Sequence, residues 1–179
     1  LTGANTFTGP TTITGGTLTT AGGVTLNGNG QLIYDAAGSI AAGYNISGAG
    51  TVTQSGAGTT TLSGTNTYTG GTTISGGILQ VASDANLGAA ASALTFNGGT
   101  LRSTAGLNGT RNVVLTGAGT ITTSGVLTMS GVFSGSGNLT VTNGTNAVTM
   151  TNAANDFGGT VNLAGGATSI NDANALTLG

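Results

Sequence analysis

Short segments of this chain alternate one apolar residue with threonine or another small polar residue. Thr51-Val52-Thr53, Thr120-Ile121-Thr122 and Thr140-Val141-Thr142 are three such segments. Neighbouring side chains of a strand point to opposite faces, so the apolar residue lies on one face and both threonines on the other. The same period of two recurs in further apolar pairs: Val24/Leu26, Leu79/Val81, Leu94/Phe96, Val113/Leu115, Leu127/Met129, Leu139/Val141, Val148/Met150 and Leu176/Leu178. The pattern predicts many short β-strands, each with one buried face.

Glycine and asparagine separate these segments and argue against helix. Each glycine inside a helix costs about 0.5–1 kcal/mol relative to alanine, and the chain contains 36 glycines. Turns are predicted at the following glycine-containing sites: Asn27-Gly28, Asn97-Gly98-Gly99, Asn108-Gly109 and Asn143-Gly144. Only the segment 82–94 has a helix-like composition, and we expect a loop there with at most one helical turn.

One sequence unit is written three times, over residues 1–20, 56–81 and 150–166. In each copy an asparagine stands two residues before an aromatic, a glycine two residues after it, and a branched apolar residue six residues after it. The signature residues are Asn5, Phe7, Gly9 and Ile13 in the first copy, Asn66, Tyr68, Gly70, Ile74, Gly76 and Gly77 in the second, and Asn155, Phe157, Gly159 and Leu163 in the third. A recurring unit of this kind is typical of repeat architectures.

Strands this short must bury their apolar face against other strands, and two all-β arrangements are open. An antiparallel sandwich needs a core of large side chains, but aromatic residues make up only 4% of the chain. In a parallel β-helix, also called a β-solenoid, each strand pairs with the equivalent strand one coil later. The three aromatic signature residues lie 61 and 89 residues apart, which fits three and four coils of about 20–23 residues. We therefore predict a single repeat segment over residues 1–179, with about eight coils and a length near 40 Å.

The chain carries almost no charge. Charged residues make up 3% of it, against roughly 25% in ordinary soluble domains, and the net charge is −2. The four acids and two bases are Asp35, Asp84, Asp156, Asp172, Arg102 and Arg111. This balance gives no electrostatic footprint for nucleic acid, and no apolar run approaches the about 18 residues of a membrane-spanning helix. Cysteine is absent, which excludes disulfides and thiolate metal sites.

We find no set of residues that predicts catalysis, a cofactor or a metal site. The acids are scattered, and Asp84 and Asp172 both precede Ala-Asn, which favours turn-forming aspartates over catalytic or calcium-binding ones. Without histidine no Ser-His-Asp system can form. Arg102 and Arg111 are interpreted as solvated surface residues.

Two substitutions distinguish the predicted interior from the predicted turns. Ile74→Asp should put a charge in the stacked interior and unfold the neighbouring coils, at a cost of several kcal/mol. Asp84→Ala should change little.

Threonine triplets raise one further possibility, because flat ranks of outward threonine on a β-solenoid can bind ice. Such a surface needs the triplets at a constant coil spacing. Here they start at residues 12, 17, 51, 59, 120, 140 and 149, which is irregular. Solvated strand faces are the favoured interpretation.

The second copy resembles the autotransporter-associated β-strand repeat. The matching sequence is GTTTLSG at residues 58–64, NTYTGGTTI at 66–74 and GGILQV at 76–81, continued by LTFNGGTLR at 94–102. The match is looser in the first copy and looser still in the third, where DFGG at 156–159 departs from NTYTGG. The resemblance covers about 45 residues specifically.

The resemblance implies a passenger segment of a bacterial type V secreted autotransporter, folded as a right-handed parallel β-helix outside the outer membrane. It implies that a C-terminal β-barrel translocator on the same polypeptide carries the passenger across, and that this segment does not itself enter the membrane. The expected role is a non-enzymatic stalk or adhesin that supports secretion and display at the cell surface. The partners of an adhesin would be a host-cell surface, extracellular matrix or glycan.

Two alternatives remain open at this point. Exposed strand edges at the end coils could stack end to end, which would suit a self-associating surface filament or biofilm protein. The coils could also be the scaffold of a polysaccharide-active enzyme whose site lies outside this segment. Because residue 1 opens within a repeat and Gly179 follows an unfinished strand, we expect a piece of a longer rod.

Overall fold

The computed structural model describes residues 1, 3–16, 18 and 20–179. Within these residues it contains short β-strands and one turn of 3₁₀ helix, Asp84–Leu87. All strand pairs in the described part of the chain are parallel. The 3₁₀ turn agrees with the single helical turn expected in segment 82–94.

The strands occupy three successive positions in each coil of the chain. The first position holds β1 (Asn5–Phe7), β3 (Val24–Leu26), β6 (Ile46–Gly48), β13 (Leu107–Gly109), β16 (Leu127–Met129), β19 (Val148–Met150) and β22 (Thr168–Ile170). The second holds β2 (Pro10–Ile13), β4 (Gln31–Tyr34), β7 (Thr51–Gln54), β9 (Thr72–Ile74), β11 (Leu94–Phe96), β14 (Val113–Leu115), β17 (Phe133–Gly135) and β20 (Asp156–Phe157). The third holds β5 (Ser39–Ala42), β8 (Thr59–Leu62), β10 (Ile78–Val81), β12 (Thr100–Ser103), β15 (Gly119–Thr123), β18 (Leu139–Thr142) and β21 (Val161–Ala164).

The pairing register sets the length of a coil. Paired residues lie 20 positions apart where Gln31 pairs with Thr51 and Thr120 with Thr140, and 22 apart where Val24 pairs with Ile46. A 20-residue coil repeated from β1 to β22 gives a parallel β-solenoid of about eight turns. The predicted fold class is therefore confirmed, and the antiparallel sandwich is excluded.

The core is a stack of inward-facing side chains along the solenoid axis. One column runs through Tyr34, Gln54, Ile74 and Phe96, each at most 1% exposed. Burial of one such large apolar side chain contributes about 1.5–3 kcal/mol. Seven of the eight apolar pairs predicted from the sequence point into this core from their strands.

The eighth pair, Leu176/Leu178, does not form a strand, so that prediction is wrong. Leu178 makes a single bridge to Val161 and remains 63% exposed. This segment packs against one neighbouring coil only, so half of the contacts of an interior coil are missing. The last coil is accordingly less buried than the interior coils.

Three of the four predicted turns are confirmed by left-handed glycines. Gly28, Gly99 and Gly144 have φ of 56°, 66° and 56°. The fourth prediction is wrong, because Asn108 and Gly109 lie inside β13. Among the described residues no helix is long and apolar enough to cross a membrane. The threonine triplet that starts at residue 17 lies outside the described residues.

Candidate functional site

The first two copies of the repeat signature occupy equivalent places three coils apart. Phe7 pairs with Leu26 and Leu26 with Gly48. The amide of Thr69 donates to Gly48 O at 2.9 Å, and this register puts Tyr68 in the column of Phe7. Ile13 and Ile74 likewise share the column that contains Tyr34 and Gln54. The signature therefore marks the first and second positions of one coil in both copies, although the segment around Tyr68 is not a strand.

The third copy is shifted by one strand, so its predicted equivalence is wrong. Phe157 pairs with Gly135 in the second coil position, which is the column of Ile74 and not that of Tyr68. Leu163 lies in β21 at the third position and shares its column with Leu79. The residue spacing of the signature gave the wrong position, because the same spacing recurs when a glycine-rich coil is shifted by one strand. Phe157 instead packs on Phe133, with ring centroids 5.4 Å apart.

The signature glycines are mostly required by the closeness of adjacent coils. A Cβ on Gly70 would lie 2.5 Å from Gly50 O, and one on Gly76 would contact Ser55 O. Gly77 has a φ of +49° and would also meet backbone oxygens of the preceding coil. A Cβ on Gly159 would approach Gly137 O in the same way, whereas Gly9 has open space around it.

Two signature asparagines connect three consecutive coils from inside the stack. Asn66 Oδ1 accepts a hydrogen bond from Ile46 N at 2.8 Å, and its Nδ2 donates to Asn86 O at 2.6 Å. Asn155 Oδ1 accepts from Phe133 N at 2.8 Å, and its Nδ2 donates to Asn171 O at 3.1 Å. Both side chains are buried, so these amides satisfy backbone groups that water does not reach.

The first-copy asparagine makes a more local set of contacts. Asn5 Nδ2 donates to Thr20 Oγ1 at 2.6 Å and to Gly3 O at 2.7 Å. Asn5 is only half-buried, so water competes for these groups. Asn5 Nδ2 also donates to Gly23 O of the next coil, at 3.5 Å, so all three asparagines reach the next coil but only Asn66 and Asn155 do so from a buried position.

Replacement of Asn66 by alanine should lower the free energy of unfolding by about 1–3 kcal/mol, the cost of leaving a buried N–H and C=O unpaired. Asn112 is the matched control, because its Oδ1 accepts from Val132 N at 2.9 Å but its side chain is exposed. Asn112→Ala should cost about 0.5 kcal/mol or less, since water can replace the amide. Urea unfolding followed by circular dichroism measures both, and equal losses would contradict the bracing role of Asn66.

Arg111 makes more side-chain hydrogen bonds than any other of the described residues. Its side chain is fully buried, and Nε and Nη2 donate to Asp84 Oδ1 and Oδ2 at 2.5 and 2.9 Å. The guanidinium also donates to backbone oxygens: to Asp84 O at 3.0 Å, to Leu87 O and Ser92 O at 3.1 Å, and to Gly88 O at 3.3 Å. We call Arg111 and Asp84 the arginine lock.

The arginine lock corrects two expectations from the sequence. Arg111 is not solvated, and Asp84 does more than form a turn. The reason lies in segment 82–93, where the first coil position carries the 3₁₀ turn in place of a strand. Carbonyl groups that a strand would place in a ladder need other partners there, and Arg111 from the next coil supplies its five donors.

An inward-facing glycine leaves the space for this ion pair. A Cβ added to Gly109 would lie 2.6 Å from Asp84 Oδ1 and 3.2 Å from Met129 Sδ. Gly109 thus has a packing role inside β13, which explains why Asn108-Gly109 is not a turn. The signal that the sequence offered was scarcity, since Asp84 and Arg111 are two of only six charged residues.

Tyrosine hydroxyls form further polar contacts in the core and at its edge. Tyr34 Oη and Tyr44 Oη lie 2.9 Å apart, and Tyr68 Oη lies 2.6 Å from Thr72 Oγ1. Burial raises the pKa of Tyr34 well above its usual value and raises that of Tyr44. Burial also raises the pKa of Tyr68 to about 12, although the hydrogen bond with Thr72 opposes the shift.

These shifts predict a loss of stability at high pH. Tyrosine in the unfolded chain ionises near pH 10, whereas Tyr68 in the fold keeps its proton to about pH 12. Between these values the unfolded state binds fewer protons, so the free energy of unfolding falls as pH rises. Urea midpoints measured between about pH 9 and 12 should fall for the native chain and fall less steeply for Tyr68→Phe. Parallel curves for the two proteins would contradict the assignment.

The aspartates do not converge on a common site. Asp35 accepts a hydrogen bond from Ser55 Oγ at 3.1 Å, Asp156 accepts from Asn174 Nδ2 at 2.7 Å, and Asp172 accepts from Phe157 N at 3.2 Å. No group of three or more His, Cys, Asp or Glu side chains that could hold a metal ion is present in the described ranges.

Comparison with known families divides the chain into two kinds of repeat. Residues 1–20 and 52–81 match the passenger-associated-transport repeat, and residues 98–164 match repeats of unknown function (DUF5649). The first match coincides with the two copies of the signature that the structure places in the same columns. No curated protein and no solved structure matches the chain significantly.

Proposed function

Because the chain carries passenger-associated transport repeats and DUF5649 repeats, typical of autotransporter passengers, we propose that residues 1–179 form one stalk segment that supports secretion and display at the bacterial surface. The repeat family implies an exported passenger and a translocator domain that carries it. The observation that supports a stalk is the continuous pairing of strands from coil to coil at the second position, from β2 to β20, and at the third, from β5 to β21. A stack of this kind holds what lies beyond it away from the cell.

The contacts suit folding from one end to the other during export. Each coil hydrogen-bonds only to the coil before and the coil after, so a newly exported coil can add to those already folded. The bracing asparagines work in the same way, since Asn66 connects the coils of Ile46 and Asn86. Each coil that folds outside the membrane buries more surface, which would oppose movement of the chain back into the translocator.

A deletion pair tests the stalk proposal in a whole passenger. The full chain is fused ahead of an autotransporter translocator, and surface-exposed protein is measured by protease protection and antibody labelling. Deletion of residues 31–50 removes one full coil and joins Gly30 to Thr51, which preserves the register because Gln31 pairs with Thr51. Deletion of residues 31–40 removes half a coil and misplaces every strand after it.

We expect the full-coil deletion to be displayed at close to the native level, because a stalk loses only about 4.8 Å of length with one strand layer. The half-coil deletion should be retained or degraded, since its inward and outward columns no longer match. Loss of display for the full-coil deletion would mean that this coil does something more specific than stack, and would contradict the proposal.

A further inference from the structure

One outer surface of the solenoid consists mainly of hydroxyl and amide side chains arranged in two columns. We call the outward-facing residues of the third coil position the threonine face. Its first column is Ser39, Thr59, Ile78, Thr100, Thr120, Thr140 and Asn162, and its second column is Ala41, Thr61, Gln80, Arg102, Thr122, Thr142 and Ala164. Strand pairing places neighbours in a column about 4.8 Å apart, so the face presents one pair of side chains per coil along the axis.

Arg102 is the single charged side chain of the threonine face. The chain has only two basic side chains, and the other, Arg111, is fully buried in the arginine lock. None of the four aspartates belongs to either column. The only ion pair among the described residues is that of Arg111 with Asp84, so the protein does not neutralise Arg102 there.

The guanidinium of Arg102 is oriented but most of its donors are unused. Arg102 Nε donates to Gln80 Oε1 at 2.8 Å, and Gln80 Nε2 donates to Thr61 Oγ1 at 3.2 Å, which fixes the side chain along its column. The four N–H groups of the two terminal nitrogens have no acceptor among the described residues. A guanidinium held at Nε presents the flat fork that binds a carboxylate through two parallel hydrogen bonds.

A surface depression of about 200 Å³ lies beside this fork, lined by Arg102, Ser103, Thr122, Thr123 and Ser124. Thr122 Oγ1 is shielded from solvent and has no hydrogen-bond partner in the described part of the structure. If the Thr122 side chain turns this hydroxyl toward the depression, a ligand oxygen held by Arg102 adds a hydrogen bond that the protein alone does not make. The size of the depression suits one carboxylate-bearing group.

We propose that Arg102 and the depression beside it form a subsite for the carboxylate of an acidic polysaccharide that lies along the threonine face. The hydroxyl and amide columns on either side supply uncharged hydrogen-bonding groups, which complement sugar hydroxyls. Because the threonine face has a single cation, it suits a polymer whose carboxylates lie far apart. A nucleic acid, with a charge every few ångströms, is bound through several cations, and the face has only one.

The binding experiment uses the full chain and, as the probe, a hyaluronan oligomer, in which each uronic acid is separated from the next by an uncharged sugar. Calorimetry gives the affinity, and NMR amide shifts locate the site. The native chain should bind saturably, with shifts centred on Arg102, Ser103 and Thr122–Ser124. Arg102→Gln should weaken binding about tenfold, the loss expected for charge-assisted hydrogen bonds. Raising the salt concentration should weaken native binding, because an exposed ion pair is screened.

Two controls separate this site from general attraction. The methyl ester of the same oligomer has no carboxylate and should bind like Arg102→Gln with the free acid. Arg102→Gln combined with Thr53→Arg keeps the net charge but moves the cation to the outward side of β7, and it should not restore binding. Circular dichroism of each variant should match the native spectrum, because both side chains face outward.

Four results would overturn the inference. These are no binding by the native chain, equal binding by Arg102→Gln, equal binding of the methyl ester, or restoration by the relocated cation. Equal binding of an oligoglutamate would overturn the assignment to a polysaccharide. The inference rests on the proposed function only in needing the face outside the cell, and purified protein measures it separately from display. Its failure would leave the stalk proposal intact, and failure of display would leave the binding result intact.

Discussion

Replacement of Arg111 by methionine should lower the free energy of unfolding by about 3–5 kcal/mol, as breakage of a buried ion pair does elsewhere. Methionine fills a similar length but donates no hydrogen bond. The Asp84 carboxylate, with only 14% of its side chain exposed, would then lose its guanidinium partner. The carbonyls of Leu87, Gly88 and Ser92 would each lose a donor as well.

Urea unfolding of Arg111→Met is compared with that of Arg102→Met as the matched control. Arg102 is half-buried on the outer face, so its replacement should change the free energy of unfolding by about 0.5 kcal/mol or less. The double variant Arg111→Met with Asp84→Ala should recover part of the loss, because it removes the unpaired carboxylate but not the unpaired carbonyls. Asp84→Ala alone should also destabilise, because it leaves the buried guanidinium without its carboxylate; this replaces the small effect predicted from the sequence. An Arg111→Met protein as stable as the native chain would contradict the arginine lock.

Replacement of Ile74 by aspartate should be at least as damaging, at about 4 kcal/mol or more. Ile74 is fully buried in the column between Gln54 and Phe96. Aspartate there removes a large apolar side chain and puts a charge where neither neighbour in the column carries one. Because coils are stabilised by their neighbours, the coils on both sides should open as well.

Thr73→Asp is the control for this prediction. Thr73 precedes Ile74 in β9 and points outward between Thr53 and Thr95. The control therefore introduces the same side chain on the opposite face of the strand. Its cost should be about 1 kcal/mol or less, the range of strand preferences at a surface. Hydrogen exchange should show lost protection in the coils next to position 74 for Ile74→Asp and native protection for Thr73→Asp. Equal effects would mean that the inward and outward faces of β9 are reversed.

The alternation of apolar and polar residues was enough to predict most of the fold. The pairs Leu79/Val81 and Leu94/Phe96 point inward as predicted, because a period of two allows only two faces and apolar side chains take the buried one. The number of coils followed from Phe7 and Tyr68, which do share a column. The position of Phe157 did not follow, because sequence spacing counts residues along the chain but not which strand of a coil they occupy.

The polar interior was much harder to predict. Alternation sorts residues only where there is a strand, and Arg111 lies in a connection between β13 and β14. Its partners belong to a segment that departs from the repeat, so no periodic signal links them. Gly109 illustrates the same limit, since only the assembled coils show that the space above it belongs to the Asp84 carboxylate.

The inward-facing asparagines show a limit of another kind. Asn66 and Asn155 were singled out for their place in the signature, but composition rules would assign asparagine to exposed turns. In the structure they are buried because each connects backbone groups of the coil before and the coil after. Exposed Asn112 bonds to an adjacent coil from the outside, so residue type alone does not separate the two roles.

The central claim is that stacking of coils is what this segment contributes to export. The most direct measurement fuses the full chain ahead of an autotransporter translocator and compares the display of the native sequence, Thr73→Asp, Arg111→Met and Ile74→Asp with their free energies of unfolding. The account predicts that display follows stability, with Thr73→Asp near the native level and the two buried variants strongly reduced. Native-level display of Ile74→Asp, with its coils shown to be open, would contradict it.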